Sequence, residues 1–147
     1  MAYLKILTIF ILFLTSHNIS ASESLKDGLD AYNKHDYVNA FKILKPLAKN
    51  GTPSVQSFVA AMYAEGKGTP KNTQLAIKWW RIAAEKGHIE SMTKLGALYY
   101  NGEDIKQNIP KSKMWLKKSA AKGDPLAKYL LDGMKYDGMK PDGTNNH

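Results

Sequence analysis

The feature that most limits what this chain can fold into is a repeat. "SFVAAMYAEGKGTPKNTQLAIKWWRIAAEKG" (Ser57 to Gly87) and "TKLGALYYNGEDIKQNIPKSKMWLKKSAAKG" (Thr93 to Gly123) align without a gap at an offset of 36 residues, Trp79 over Trp115. Ala61/Ala97, Tyr63/Tyr99, Gly66/Gly102, Asn72/Asn108, Ala84/Ala120 and Gly87/Gly123 coincide at that offset. An earlier copy, "GLDAYNKHDYVNAFKILKPLAKNG" (Gly28 to Gly51), places Ala40, Ile43, Leu44 and Ala48 where Ala76, Trp79, Trp80 and Ala84 fall, with a connecting loop about five residues shorter. "LAKYLLDGMKYDG" opens a fourth copy and stops. A period of this length marks a supersecondary unit that buries its apolar face only by stacking on its neighbours.

Each unit reads as two helices. The apolar or small positions of the second helix are 40, 43, 44 and 47, then 76, 79, 80 and 83, then 112, 115, 116 and 119. That spacing draws one stripe along a helix. "NGTP" (Asn50 to Pro53) and "KGDP" (Lys122 to Pro125) supply a glycine after one helix, then a Thr or Asp N-cap, then proline at the first helical position. Asp36, Asn72 and Asn108 stand where the second helices need N-caps. Gly66 and Gly102 stand where the first helices end, at a left-handed residue that glycine adopts with least strain.

"GKGTPKNTQLAIKWWRIAAEKG" resembles the Sel1-like repeat, a relative of the tetratricopeptide repeat. The likeness extends from Asp27 to about Gly138. It rests on the glycine-containing loop, the alanine and tryptophan pair of the second helix and the Ala-Ala-x-x-Gly ending. It implies an all-α fold, an α-α superhelix (solenoid) of about three helix pairs plus a C-terminal capping helix. The units are then 23–52, 53–88, 89–124 and a partial 125–138, with 139–147 a flexible tail. Asp104 departs from the family pattern by replacing the loop's second glycine, and Ser112 and Ser119 by replacing alanines. Asp132 and Lys135 stand where a further unit would carry glycine and tyrosine, which suits a helix that closes the stack.

The first residues are of another kind. Lys5, the apolar run "ILTIFILFL" (Ile6 to Leu14) and the polar, small-residue "TSHNISAS" describe a secretory signal peptide over residues 1–22, cleaved near Ala21 or Ser22. An uncleaved anchor is the alternative. The expected location is secreted or periplasmic, of bacterial type. The chain has no cysteine, so no disulfide and no lipid-bearing cysteine can form. Removing residues 1–22 lowers the net charge only from +8 to +7, since Lys5 is the one charged residue lost. Such a charge draws a protein toward anionic surfaces without naming a partner.

Two tryptophans between a lysine and an arginine invite a second interpretation, stacking on single-stranded nucleic acid. The repeat register decides against it. Trp79, Trp80 and Trp115 fall on the buried stripe, while Lys111, Lys113, Lys117, Lys118 and Lys122 fall mostly on the opposite face, their stems covering its rim. No nucleic-acid partner is expected.

Catalytic chemistry is not evident. His35 and His88 read as surface turn residues beside Asp36 and Glu90, and no Gly-x-Ser-x-Gly elbow or phosphate loop occurs. The aspartates of "DGMKYDGMKPDG" (Asp132 to Gly143) recur every fifth residue, unlike the alternating ligands of a calcium loop. No catalytic residue, metal or cofactor is therefore expected.

What remains is a surface. In stacked helix pairs the first helices line the concave side, a face suited to proteins or peptides. Ser57, Ala61 and Ala64, then Thr93, Ala97 and Tyr100, then Tyr129, Gly133 and Tyr136 follow one another along it, flanked by Phe58 and Lys94. Phe58, Lys94, Tyr100, Tyr129 and Tyr136 are the expected partner-binding residues, although the aromatic ones could equally cover the neighbouring repeat. The expected function is a non-catalytic, exported adaptor or regulatory scaffold that binds another protein. Rival expectations are an immunity protein that blocks a toxic periplasmic enzyme, a binder of anionic envelope glycan or lipid, and a β-lactamase-type hydrolase. The last is disfavoured by the missing cysteines and nucleophile-base pair.

Overall fold

Asp36, Asn72 and Asn108 each start a helix, and these three caps set the phase of the fold. Their side-chain oxygens accept from the backbone N–H three residues on: Asn39 at 3.3 Å, Leu75 at 2.9 Å and Lys111 at 2.9 Å. The computed structural model describes residues 24–137, and its elements there are helices with no strand. Helix α1 covers residues 24–33, followed by α2 (Tyr37–Asn50), α3 (Pro53–Glu65), α4 (Thr73–Glu85), α5 (Ile89–Asn101), α6 (Ile109–Ala121) and α7 (Pro125–Asp137). From α2 on, each helix packs on the next, most extensively α3 on α4 and α5 on α6. This is the all-α, helix-pair solenoid anticipated from the repeat. Residues 1–22, and the tail at 139–147, lie outside the described residues.

Gly66 and Gly102 close α3 and α5 in the left-handed conformation, both at φ 70°. Gly51 differs from expectation. Its backbone is extended at φ −82°, and glycine is needed because a Cβ there would lie 2.4 Å from the Leu47 carbonyl oxygen. The loop at 34–36 is four residues shorter than those at 66–72 and 103–108 with Gly102, one fewer than the repeat alignment suggested.

The core follows the stripes. Ala40, Leu44 and Ala48 of α2, Ala76, Trp80, Ala83 and Ala84 of α4, and Ser112, Trp115, Leu116 and Ser119 of α6 are buried. Ile43, Leu47 and Trp79 are half-buried at its edge. The serines in place of alanines are accommodated by hydrogen bonds: Ser112 Oγ donates to the Gly96 carbonyl at 2.7 Å, and Ser119 Oγ donates to the Asp124 carboxylate at 2.9 Å. Small residues on the first helices admit large ones from the second. A Cβ on Gly96 would come within 2.5 Å of Leu116, and one on Gly28 within 2.6 Å of Leu44. Ala60 is fully buried at the matching position of α3, opposite Trp80.

Helix α7 closes this pattern. At the register positions where α5 buries Met92, Leu95 and Gly96 against α6, α7 carries Lys128, Leu131 and Asp132. Asp132 pairs with Lys135 at 2.7 Å on an exposed surface. A charged seam resists burial beneath a further helix.

Candidate functional site: the first-helix groove

Helices α5 and α7 touch, whereas α3 and α5 barely meet, and Trp80 of α4 lies beneath the gap between them. The result is a groove of about 670 Å³. Its walls come from equivalent register positions of three first helices: Ser54, Glu90 and Leu126, then Phe58 and Lys94, then Ala61 and Ala97. A smaller apolar cleft of about 180 Å³ adjoins it, shares Ser54 and Phe58, and extends the trough to Leu25 and Leu29 of α1 with Leu44 below. The second-helix residue beneath the smaller cleft is thus Leu44, and beneath the groove Trp80. Of the two, the more voluminous opens over the larger side chain.

One end of the groove is polar and ordered from within. Asp124, the N-cap of α7, accepts from Leu126 N–H at 3.0 Å through one carboxylate oxygen. The other oxygen accepts from the Thr93 hydroxyl and, at 2.9 Å, from Ser119 Oγ. The Thr93 hydrogen bond, with help from Ser119 and the amides of Leu126 and Ala127, outweighs partial burial and holds the carboxyl below its ordinary range. Asp124 is therefore a fixed anion whose lone pairs are largely used.

His88 is not the solvated turn residue that its neighbours in sequence suggested. Its side chain is 16% exposed, and it N-caps α5: Nδ1 accepts from Ser91 N–H at 3.3 Å and lies 2.9 Å from Ser91 Oγ. With Nδ1 accepting, the N–H of the ring is at Nε2, which lies 3.7 Å from Glu90. A serine, a histidine and a carboxylate are brought together here, a contact invisible in the spacing of known motifs. Ser91 is fully buried, however, so its hydroxyl is inaccessible to a substrate and the trio acts as a helix cap. His35 does lie in an exposed turn, with φ 64°.

The residues expected to bind a partner separate into groups. Phe58 and Lys94 face each other across the groove from α3 and α5. Tyr100 is half-buried against the cluster of Leu116, Ala127 and Met134. Tyr129 is 74% exposed and outside the groove lining. The side chain of Tyr136 lies outside the described residues. Trp80, His88, Asp124 and Leu126 line the groove but were not singled out for it. For Leu126 the signal was present in the register 54, 90 and 126; for Trp80, core membership concealed a second role.

The outer face is basic, as the wheel of α6 implied. Lys111, Lys113, Lys117, Lys118 and Lys122 are all exposed. Lys111 lies 5.3 Å over the Tyr99 ring and Lys118 4.7 Å over Trp115, so their stems shelter the rim of the core. Among the described residues no group of three or more His, Cys, Asp and Glu is placed to hold a metal, and no helix is long and apolar enough to cross a membrane.

Residues 53–88 and 89–124 each match the Sel1 repeat family. The chain is similar to Protein SHC1 of Saccharomyces cerevisiae, 29% identical over 117 residues that make up 80% of this chain and 23% of that protein. It is 29% identical over 92 residues to the DAP3-binding cell death enhancer 1 of Rattus norvegicus, covering 63% of this chain and 18% of that protein. Among solved structures it resembles c5321, a protective antigen of uropathogenic Escherichia coli strains displaying an SLR fold. There the TM-score is 0.75 and the identity 25%, over 84% of this chain and 27% of that one. It also resembles a Sel1 repeat protein from Oxalobacter formigenes, with a TM-score of 0.69 and 26% identity over 76% of this chain and 46% of that one. The chain thus spans about a quarter of the length of its curated yeast relative, and less than half of either solved neighbour.

Proposed function

We propose, from the premise that this chain carries Sel1 repeats, that it is an exported adaptor or regulatory scaffold that binds a partner protein in the groove between α3 and α5. Sel1 repeats mediate protein–protein interactions and are in general non-catalytic scaffolds. The observation that carries the specific proposal is the groove itself. It opens over Trp80, and its walls combine aromatic, small and charged side chains at repeating positions. A concave, mostly apolar trough with a few placed polar groups is the usual form of a recognition site. Export is supported by the leader-like order of Lys5, the run Ile6 to Leu14 and the small-residue stretch that follows.

Site-specific photocrosslinking tests the binding face. A photoreactive phenylalanine analogue at position 58 should trap a partner in the native host, whereas the same group at Lys113 on the outer face should not. Equal trapping at both positions, or trapping at Lys113 alone, would remove the groove from the proposal. Cell fractionation with N-terminal sequencing tests export, the expected mature start lying next to Ala21 or Ser22.

A further inference from the structure

We infer that the groove takes an extended segment of the partner that seats an acidic side chain on Lys94 and a large apolar side chain, about three residues away, between Phe58 and Trp80. This rests on the reading of the groove as a protein-binding site and specifies its occupant.

The charged side chains of the groove are Glu90, Lys94 and Asp124, and they differ in how far the described residues satisfy them. Asp124 is held by Thr93, Ser119 and Leu126 N–H. His88 and Ser91 serve each other, and Glu90 leans toward the His88 ring. Lys94 is exposed on the groove wall and makes no hydrogen bond or ion pair with any described residue. Glu90 stands one helical turn before it, a spacing at which Glu and Lys commonly pair, yet its carboxylate lies 3.7 Å from the His88 ring and makes no ion pair with Lys94. The group left for an incoming ligand to satisfy is therefore a cation.

The two carboxylates define where an acid can sit. Glu90 and Asp124 repel a second anion at the N-terminal end of α5 and α7 and leave Lys94 as the place for one. That combination of attraction and repulsion fixes register as well as affinity. The net charge of +8 adds long-range attraction for an acidic partner during encounter.

The apolar half of the site is built for bulk. Ala61 and Ala97 line the groove where larger side chains would fill it, and Phe58 and Trp80 supply ring surface beside them. Such a desolvated pocket suits one anchoring side chain. Packed helices lie roughly 10 Å apart, a lower bound for α3 and α5, which barely meet, and an extended chain advances about 3.3 Å per residue. A segment crossing from α5 to α3 therefore meets the next wall about three residues after its acid at the nearest.

Selection of displayed short random peptides on the full chain tests this, run in parallel on Lys94→Glu and on Ala61→Arg, with circular dichroism confirming that both variants fold. The wild type should enrich Asp or Glu with Leu, Ile, Phe or Met about three positions away. Lys94→Glu should exchange the acidic preference for a basic one and keep the apolar position, and Ala61→Arg should enrich nothing. A selected peptide, resynthesised with blocked ends, should bind Lys94→Gln about tenfold more weakly. Enrichment without an acid, or an acidic preference that survives Lys94→Glu, overturns this occupant and leaves the groove as a binding site. No enrichment on the wild type, or equal enrichment on Ala61→Arg, overturns the groove as well.

Discussion

The same loop position closes two successive repeat junctions by opposite means. In the first, Gly68 presses its backbone against the preceding unit: a Cβ there would lie 1.9 Å from the Tyr37 carbonyl oxygen, and φ is +72°. Beside it Lys67 bonds to Glu65 at 2.8 Å and to the Tyr32 hydroxyl at 2.9 Å, and lies over the rings of Tyr32 and Tyr37. Those partners, Glu65 foremost, push its ammonium pKa up. In the second junction, 36 residues on, Asp104 replaces the glycine. It reaches back to the preceding unit with its side chain, to Lys71 Nζ at 2.7 Å and Thr73 Oγ1 at 3.3 Å. Thr73 is the register equivalent of Tyr37. One junction is closed by steric fit and aromatic surface, the other by an exposed ion pair. The contact is conserved in place but not in chemistry, so the two junctions should respond differently to mutation, salt and pH.

The largest effect is expected where fit leaves no alternative. Gly68→Ala must strain a left-handed backbone and displace a backbone contact, and should cost about 3 kcal/mol, read as a lower urea midpoint. Gly68→Asp, which imports the residue used at the next junction, should be at least as damaging. The reciprocal Asp104→Gly should be mild. If the two exchanges prove equally mild, the steric account of the first junction is wrong.

An intermediate case sharpens the contrast. Asp124 is also a carboxylate at a unit boundary, but it is partly buried, caps α7 and accepts from Thr93 and Ser119. Asp124→Ala should cost about 1 kcal/mol, the usual value of a lost N-cap, because the Thr93 and Ser119 hydroxyls, 2.7 Å apart, can then bond to each other. A loss as large as that of Gly68→Ala would show that the hydroxyl cluster needs its anion to fold at all.

These junctions also mark how far the sequence could be followed. Helix phase, the Asp and Asn caps and the buried stripe were legible because each depends on residues three or four apart and recurs at a fixed period, whereas Thr52 holds the N-cap position of α3 without a side-chain cap hydrogen bond. The role of Asp104 was not legible, since its partners lie 33 and 31 residues back and only the stacked fold brings them near. The same holds at the groove. Phe58 and Lys94 could be placed from register alone, but the floor is Trp80, whose place in the core masked its second role as groove lining. Tyr100 shows the converse: an outward register position drawn into a cluster because α7 supplies Ala127 and Met134 beside it.

The smallest expected effect is electrostatic and tests the second junction most directly. The hydrogen bond from Lys71, more than any other contact, holds the Asp104 carboxyl below its ordinary range. A carboxyl depressed on folding contributes stability above its unfolded-state value of about 4. That contribution is lost as pH falls below this value and through the folded-state one. The gap in urea midpoint between wild type and Asp104→Asn should therefore be present at neutral pH, shrink below about pH 4, and shrink again at neutral pH in concentrated salt, where exposed pairs are screened. Gly68→Ala should show neither dependence, since its penalty is steric. A midpoint gap for Asp104→Asn that ignores both acid and salt would mean that the Thr73 hydrogen bond and loop geometry, not the charge on Lys71, hold the second junction closed.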